Sequence, residues 1–557
     1  MASSTVDLEP PNAAAVPAQA VGPEPLAGTG LSAEVVVIGA GPAGIAAAEG
    51  IAAGAVTEDG SGRSPVGRRP LRVIVVDEAA AGHGGWSARL VLAALREAAA
   101  AGMSWSQAGA QLREVRADVV ARHEARLLAL RSRLGPQVLV LSGRARLSGH
   151  GQVRVEPRGA DAAGAQLLSA RRVVLATGCV PAMPEVTGLL STPFLTAGQV
   201  ATLFDGDLPP GRVAVLGAGS TGCAIAQALA RLGANVTLVD EHPVVLAGED
   251  DEAAALVAAR LRRDGVRLLL GSPVVKVAPT LDGGAWLGIA AGADVAGVDV
   301  VGADVAGVDV AAERLIVATG WRAASGGLDL PAAGVAVGPA GSVTVDSALV
   351  TSARDILAAG GVVAGEPHAG AALAMGAVAG ANAVTRRPTA TWSAAAVATL
   401  TLTDPEVAVV GTPAPRRDRD RRAAGNAAGN AAGNAAGNAA GNAAGSAAGS
   451  AVGVGTVHWS EVDRAVLSRT GDGFVRVVVG CSGSGGNRWV GRRASPGTVR
   501  VLGATVVGSL AADLVAPLAL AIGSGLPASA LASAVSAEPS WSSAIRTAVA
   551  RACADLP

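Results

Sequence analysis

The sequence predicts an α/β fold built on parallel sheets, and three observations carry that expectation. A short apolar run, Glu34–Ile38 (EVVVI), leads into the turn Gly39-Ala40-Gly41-Pro42-Ala43-Gly44 and then a helical stretch, IAAAEGIAAG. The same order restarts at Val213–Leu216 (VAVL), with Gly217-Ala218-Gly219-Ser220-Thr221-Gly222 and the helical stretch CAIAQALARLG. Each half later closes on an ATG, in RVVLATG (Arg172–Gly178) and RLIVATG (Arg314–Gly320). Strands that alternate with helices form βαβ units, whose strands pair in parallel.

The remaining elements follow in order. Leu71–Asp77 (LRVIVVD) reads as the second strand, after a polar loop. Helices are expected at Ser87–Ala101 and Ser106–Leu134, and short strands near Gln137–Leu141 and Val153–Glu156. In the second half, strand Asn235–Asp240 (NVTLVD), helix Glu249–Asp264 and strand Val266–Leu270 are expected. GADVAGVDV occurs twice in tandem (Gly292–Val300 and Gly302–Val310), and its alternating valines suggest a hairpin tip. From Ala423 the chain repeats AAGN five times and AAGS twice, a period that fits neither strand nor buried helix and reads as a flexible loop.

Length and composition narrow the class. A chain of 557 residues exceeds one hydrophobic core and suggests roughly three or four domains. An apolar fraction of 50% with 16% charged residues excludes a wholly disordered chain. With 44 basic and 45 acidic residues, the net charge of −1 argues against a basic nucleic-acid binder. The most hydrophobic stretch, Val507–Val535, contains Asp513, Pro517 and Pro527, so two buried Ala-rich helices are expected rather than a membrane span. Residues 1–32 carry no basic segment before an apolar core, so a flexible tail is expected there and not a secretory signal. A soluble, cytoplasmic protein is the resulting expectation.

The two glycine turns can be tested against a physical template. In a dinucleotide-binding turn, the first glycine permits the tight bend and the second lets the backbone approach a pyrophosphate. The third lets helix and strand pack closely, and the helix N-terminus then faces the phosphates. An acid at the end of the next strand accepts the ribose hydroxyls. Gly217, Gly219 and Gly222 fit, with Asp240 lying 18 residues beyond Gly222. Asp240 with no adjacent arginine favours NAD(H) over NADP(H). Gly39, Gly41 and Gly44 form the other fingerprint, with Asp77 lying 33 residues past Gly44; the polar loop Thr57–Pro70 accounts for the excess. Two such sites in one chain imply FAD plus a nicotinamide cofactor.

With both fingerprints in place, the chain resembles the flavoprotein disulfide reductases, the family of dihydrolipoamide dehydrogenase, glutathione reductase and mercuric reductase. The order VVVIGAGPAG, RVVLATG, VAVLGAGSTG with VTLVDEHP, then RLIVATG carries the resemblance from about Glu34 onward. TSARDILAAGG (Thr351–Gly361) resembles the second FAD motif, and TLTDPEVAVVG (Thr401–Gly411) the opening of the interface domain. DRAVLSRTGDGFVRVVV and VLGATVVGSLAADLVAPLALAI resemble that domain's later strands and helix. The resemblance implies two Rossmann-like domains and a C-terminal α+β dimerisation domain. The implied division is FAD-binding at 33–205 and 319–390, NAD-binding at 206–318, and homodimerisation at 391–557, with a low-complexity insertion at 413–455. It places Thr177, Gly178, Gly360, Gly361, Thr319 and Gly320 beside Gly39, Gly41, Gly44 and Asp77 (FAD) and Gly217, Gly219, Gly222 and Asp240 (NAD) as cofactor-binding candidates.

The chain also departs from that family. Its members carry a C-x4-C redox disulfide soon after the first acidic strand end, where this chain reads DEAAAGHGGWSARLVLAAL (Asp77–Leu95) without cysteine. The cysteines present are Cys179, Cys223, Cys481 and Cys553, and thiol–disulfide exchange needs an attacking thiolate and a resolving partner. The family's C-terminal His-Pro followed by Glu is matched by Ala537–Ser543, with Glu538 at the histidine's place and Ser543 at the glutamate's. The second FAD motif ends in AAGG, so Gly361 stands where the family has an aspartate that holds the flavin; a charge-assisted hydrogen bond of this kind is worth ~1.5–3 kcal/mol. Ala224 stands where the family often has glutamate. His83, His242, His368 and His458 lack metal-ligand spacing and are expected as surface or capping residues, and Glu249–Glu252 as a helix N-terminal cluster; no metal is expected. Trp86 stands where the disulfide helix would begin.

The leading expectation is an FAD-containing, NADH-preferring oxidoreductase that delivers electrons to a small diffusible acceptor such as a quinone, without dithiol chemistry and with no assigned acid/base residue. A degenerate homologue that keeps the fold for binding, and a dihydrolipoyl dehydrogenase, are the alternatives.

Overall fold

The computed structural model describes residues 31–56, 71–78, 85–134, 138–157, 164–206, 208–290, 307–365, 368–414, 452–469, 471–481 and 499–556. The AAGN repeats, most of the GADVAGVDV tandem and His83 lie outside them.

The first sheet is built from β1 (Leu31–Ile38), β2 (Val73–Asp77), β3 (Val138–Gly149), β4 (Gln152–Pro157), β5 (Gln166–Leu175) and the strand Ile356–Ala358. β1 pairs in parallel with β2 and β5, β2 with β3, and β5 with Ile356–Ala358. Alternate residues feed two cores. Val35, Val37, Val73 and Val75 pack under one face, and Val36, Ile38, Ile74 and Val76 under the other. Burial on both faces explains why these strands read as unbroken apolar runs.

Three boundaries differ from expectation. β1 begins at Leu31, so Leu31 and Ser32, expected in the tail, pair with Leu168 and Ser169 of the long β5. β3 continues to Gly149 because its backbone groups find new partners: the ladder with β2 ends at Ser142, and Gly143 onward pairs antiparallel with β4. The strands entering the ATG turns stop at Leu175 and Val317, ahead of the ATG residues themselves.

The helices Pro42–Val56 and Ala369–Val384 cover one face of this sheet, backbone against backbone. A Cβ on Gly376 would lie 2.2 Å from the Ala43 carbonyl oxygen, and one on Gly380 would lie 2.1 Å from that of Ala47. This contact accounts for part of the glycine and alanine excess.

The second sheet is wholly parallel. Its strands run Arg267–Leu269, Asn235–Val239, Arg212–Leu216, Arg314–Val317 and Leu195–Thr196. An antiparallel meander, Val274–Pro279, Ala285–Ile289 and Val308–Ala312, packs beside it. The third sheet is antiparallel, in the order Ala398–Thr401, Val407–Gly411, Val499–Val507, Phe474–Cys481 and Val452–His458. Helices Ala511–Gly523 and Ser543–Ala554 cover it. Val507–Val535 thus holds a strand end and two helices, Ala511–Gly523 and Ala528–Ala532, buried on one side only, since Leu520 in the first and Ser529 in the second are exposed. Among the described residues, no helix is long and apolar enough to cross a membrane.

An ionic seam joins the second and third sheets. Arg231 and Arg260 both reach Asp404 Oδ2, at 2.7 and 2.9 Å. The buried Gln227 donates to Asp264 and to the Asp404 carbonyl and accepts from the Asp404 amide. Further along, Asp250 caps the helix Asp251–Arg263 and accepts from Arg476 Nη1 at 2.5 Å. The expected acidic cluster is therefore a cap and a docking point. Burial pushes the Glu252 carboxyl up, but His458 and Arg476 outweigh it and hold the group below its ordinary value.

The third sheet's core centres on Trp459, 1% exposed, which donates to the Val507 carbonyl at 2.7 Å and stands edge-on to Trp541. Trp459→Ala is expected to destabilise the fold by about 3–5 kcal/mol, read as a lowered denaturant midpoint.

Candidate functional site

The two glycine turns have the same geometry. Gly39 and Gly217 have φ of +103° and +104°, a region that disfavours other residues. A Cβ at either would lie 2.4 or 2.6 Å from the carbonyl oxygen of Ala176 or Ala318. A Cβ at Gly44 or Gly222 would lie 1.8 Å from the carbonyl oxygen of Gly39 or Gly217. A Cβ at Gly41 or Gly219, by contrast, meets nothing within 4 Å. The middle glycine of each turn therefore faces open space at a helix N-terminus, the geometry that admits a pyrophosphate. The residues fit the group at both turns.

The acids are also placed alike. Asp77 Oδ1 accepts the Ala40 amide at 3.2 Å, and Asp240 Oδ2 accepts the Ala218 amide at 2.5 Å. Each carboxylate thus pins the residue between the first and second glycines. Asp240 Oδ1 also accepts from the His242 amide and lies against its Nδ1, both at 2.8 Å, so His242 is a supporting residue of this acid. Beside Asp77 stands His123, which sequence reasoning missed. Burial lowers its pKa, and the Asp77 charge opposes that shift. Helical spacing alone gives no signal for a histidine aimed at a strand end.

The ATG turns exchange hydrogen bonds. The Thr177 hydroxyl donates to the Ala324 carbonyl at 2.7 Å, and the Thr319 hydroxyl donates to the Ala182 carbonyl at 2.9 Å. The Ala324 amide donates to Gly178, and the Ala182 amide to Gly320. Between them Cys179–Pro181 pairs antiparallel with Trp321–Ala323. Thr177, Gly178, Thr319 and Gly320 thus form the crossover between the first two sheets. Gly360, with φ +78°, opens the short helix Gly361–Ala364. A Cβ on Gly361 would lie 3.0 Å from the Cys179 amide nitrogen, so the crossover strand presses on the position the resemblance gives to an aspartate.

The helix Gly85–Ala100 carries apolar contacts in place of thiols. Leu92 and Leu95 are buried, and Arg89, Leu92, Ser220, Thr221, Ala224 and Leu402 enclose only about 10 Å³, room for about one water. Arg89 donates to the Leu400 carbonyl at 2.6 Å, and Arg96 pairs with Glu406 at 2.5 Å, tying this helix to the third sheet. Cys179, Cys223, Cys481 and Cys553 form no disulfide among the described residues. Burial pushes the Cys223 thiol far up, the Asp240 charge adds to the shift, and its Sγ contacts the Ala218 carbonyl at 3.1 Å. Burial also raises Cys553. Glu538 accepts from the Ser540 amide, and the Ser543 hydroxyl donates to the Ser540 carbonyl. Both serve their own turn.

The family described as pyridine nucleotide-disulphide oxidoreductase matches residues 33–381. The chain belongs to that family. Its members are flavin-dependent oxidoreductases that use pyridine nucleotides. A mercuric reductase of Acidithiobacillus ferrooxidans is 30% identical over 51% of this chain and 47% of its own length. Dihydrolipoyl dehydrogenase 3 of Haloarcula marismortui is 27% identical over 74% of this chain and 75% of its own. The chain spans about half the length, or less, of the mercuric reductases it matches. Among solved structures, LpdA from Mycobacterium tuberculosis superposes with a TM-score of 0.68 at 25% identity, covering 94% of this chain and 99% of its own. The HOCl-induced flavoprotein disulfide reductase RclA of Escherichia coli, at 20% identity and TM-score 0.68, shares the fold over 93% of this chain and 99% of its own.

Side chains at the middle and last glycines are expected to act differently. Gly41→Val and Gly219→Val should fold with near-unchanged melting temperature and lose FAD and NADH binding respectively, measured by flavin content and by NADH titration. Gly222→Ala should lower the melting temperature outright, because its Cβ meets backbone.

Proposed function

We propose that the chain is an FAD-dependent, NADH-preferring oxidoreductase that reduces a small diffusible acceptor such as a quinone, without a dithiol step. The observation that carries this reading is the repeated turn, with Gly41 and Gly219 open and Asp77 and Asp240 pinned to it, together with a helix Gly85–Ala100 that holds no thiol. The same reading assigns residues 33–205 and 319–390 to FAD, 206–318 to NAD, and 391–557 to homodimerisation, in a cytoplasmic protein; four cysteines outside any disulfide fit that compartment.

FAD, when bound, supplies acceptance of hydride from nicotinamide and its delivery onward as electrons. The chain's residues bind and orient. Gly39, Gly41 and Gly44 admit one pyrophosphate and Gly217, Gly219 and Gly222 the other, each at a helix N-terminus. Asp77 and Asp240 accept ribose hydroxyls through oxygens already fixed by backbone amides. Asp240, flanked by His242 and not by a fixed positive charge, repels a 2′-phosphate. Thr177 and Thr319 hold the crossover that sets one nucleotide turn against the other. Leu92, Ala224 and Leu402 leave room for no more than about one water between the helix Gly85–Ala100 and the second nucleotide helix.

One observation favours a second reading, a homologue that binds without turning over. Gly361 offers no carboxylate, and the Cys179 backbone crowds the space that a side chain there would need. The two readings separate on purified protein: a flavin-to-protein ratio near one supports the oxidoreductase, and a colourless protein that takes up no added FAD supports the binding homologue.

Asp240→Ala is expected to raise the KM for NADH by roughly one to two decades, the equivalent of a charge-assisted hydrogen bond, and to narrow the preference over NADPH. Lipoamide turnover by the wild-type protein would contradict the proposal.

A further inference from the structure

A cleft of about 520 Å³ opens between the helix Asp251–Arg263 and the third sheet. That volume falls within the roughly 300–1,000 Å³ of small-molecule sites, which favour domain junctions. Arg260 and Arg263 line one wall, and Asp404, Arg469, Asp472 and Ser509 line the other.

The charges divide into spent and unspent. Arg260 binds Asp264 at 3.3 Å and Asp404 at 2.9 Å, and Arg231 binds the same two acids, so these four groups balance one another. The side chains of Arg263, Arg469, Asp472 and Ser509 form no hydrogen bond or ion pair with the described residues. Arg469 also occupies a position that usually holds glycine. It follows the helix Asp463–Leu467 with φ +53°, where its amide closes the helix end on the Val466 carbonyl. An arginine tolerated there brings a free guanidinium to the cleft.

The cleft is separate from the nucleotide turns. Gly217–Gly222 follow the C-terminal end of the strand Arg212–Leu216. The helix Asp251–Arg263 runs back between parallel strands, so Arg260 and Arg263 lie toward their N-terminal edge, opposite to where dinucleotides bind in such sheets.

We infer that this cleft binds a small organic phosphate. Arg263 and Arg469 approach from opposite walls. Two guanidinium forks suit the three terminal oxygens of a phosphoryl group, whereas a carboxylate saturates one fork. Ser509 and Asp472 then provide a donor and an acceptor for the hydroxyls of the body that carries the phosphate.

Isothermal titration of the full chain with glucose 6-phosphate at low salt tests the inference. The double variant Arg263→Gln/Arg469→Gln is expected to bind tenfold or more weakly, and Gly219→Val to bind as the wild type does. Inorganic phosphate should compete. Both arginines are exposed, so melting temperatures should match. The Arg263→Lys/Arg469→Lys variant, which keeps charge but loses the forks, should bind with intermediate strength. Absence of binding by the wild type, unchanged binding by the glutamine double variant, or loss of binding in Gly219→Val would each overturn the inference.

Discussion

Everything in the first two layers depends on one contact, a glycine Cα set against the carbonyl oxygen of another glycine five residues earlier. It occurs at Gly39–Gly44 and again at Gly217–Gly222, and in both a Cβ would lie 1.8 Å from that oxygen. The contact lets each helix begin directly over its strand. It also aims the helix N-terminus past the middle glycine into open space. Fold and ligand site therefore share one constraint, which is why a one-carbon addition at the last glycine threatens folding and one at the middle glycine threatens only binding.

The second constraint is the crossover. Thr177 and Thr319 each donate across to the residue just past the strand that follows the other's turn, so the first two sheets are tied together there. The third sheet is then fixed by charge. Asp404, Arg231, Arg260, Asp264 and Gln227 make one seam, and Asp250, Glu252, Arg476 and His458 make another. The helix Gly85–Ala100 is clamped by Arg89 and Arg96 to the same sheet. A helix so packed, with leucines on its inner face, is anchored between the second and third sheets.

The geometry of the glycine turns and of Asp240 was legible in the sequence because it is local: strand, turn, helix and acid lie within one βαβ unit. The departure from the C-x4-C motif was legible because Asp77–Leu95 carries no cysteine. The extension of β3 was not legible, since SGRARLSG carries no apolar run and depends on β4 for partners. The ionic seams were hidden because Gln227 and Asp404, or Asp250 and Arg476, come from distant parts of the chain. Gly361 was visible as a departure, but the pressure of Cys179 on it came only with the fold. Arg263 and Arg469 gave no signal for the same reason: neither belongs to a motif, and only packing brings them to one cleft.

The central claim is the proposed one, that bound FAD would be the sole group of this chain to take electrons from NADH. An anaerobic NADH titration of the flavin-loaded chain tests it most directly, because FAD takes two electrons and a redox disulfide would take two more. Full bleaching at one NADH per flavin, unchanged after thiol alkylation, is the predicted result. Uptake of two equivalents per flavin, falling to one after alkylation, would contradict the account.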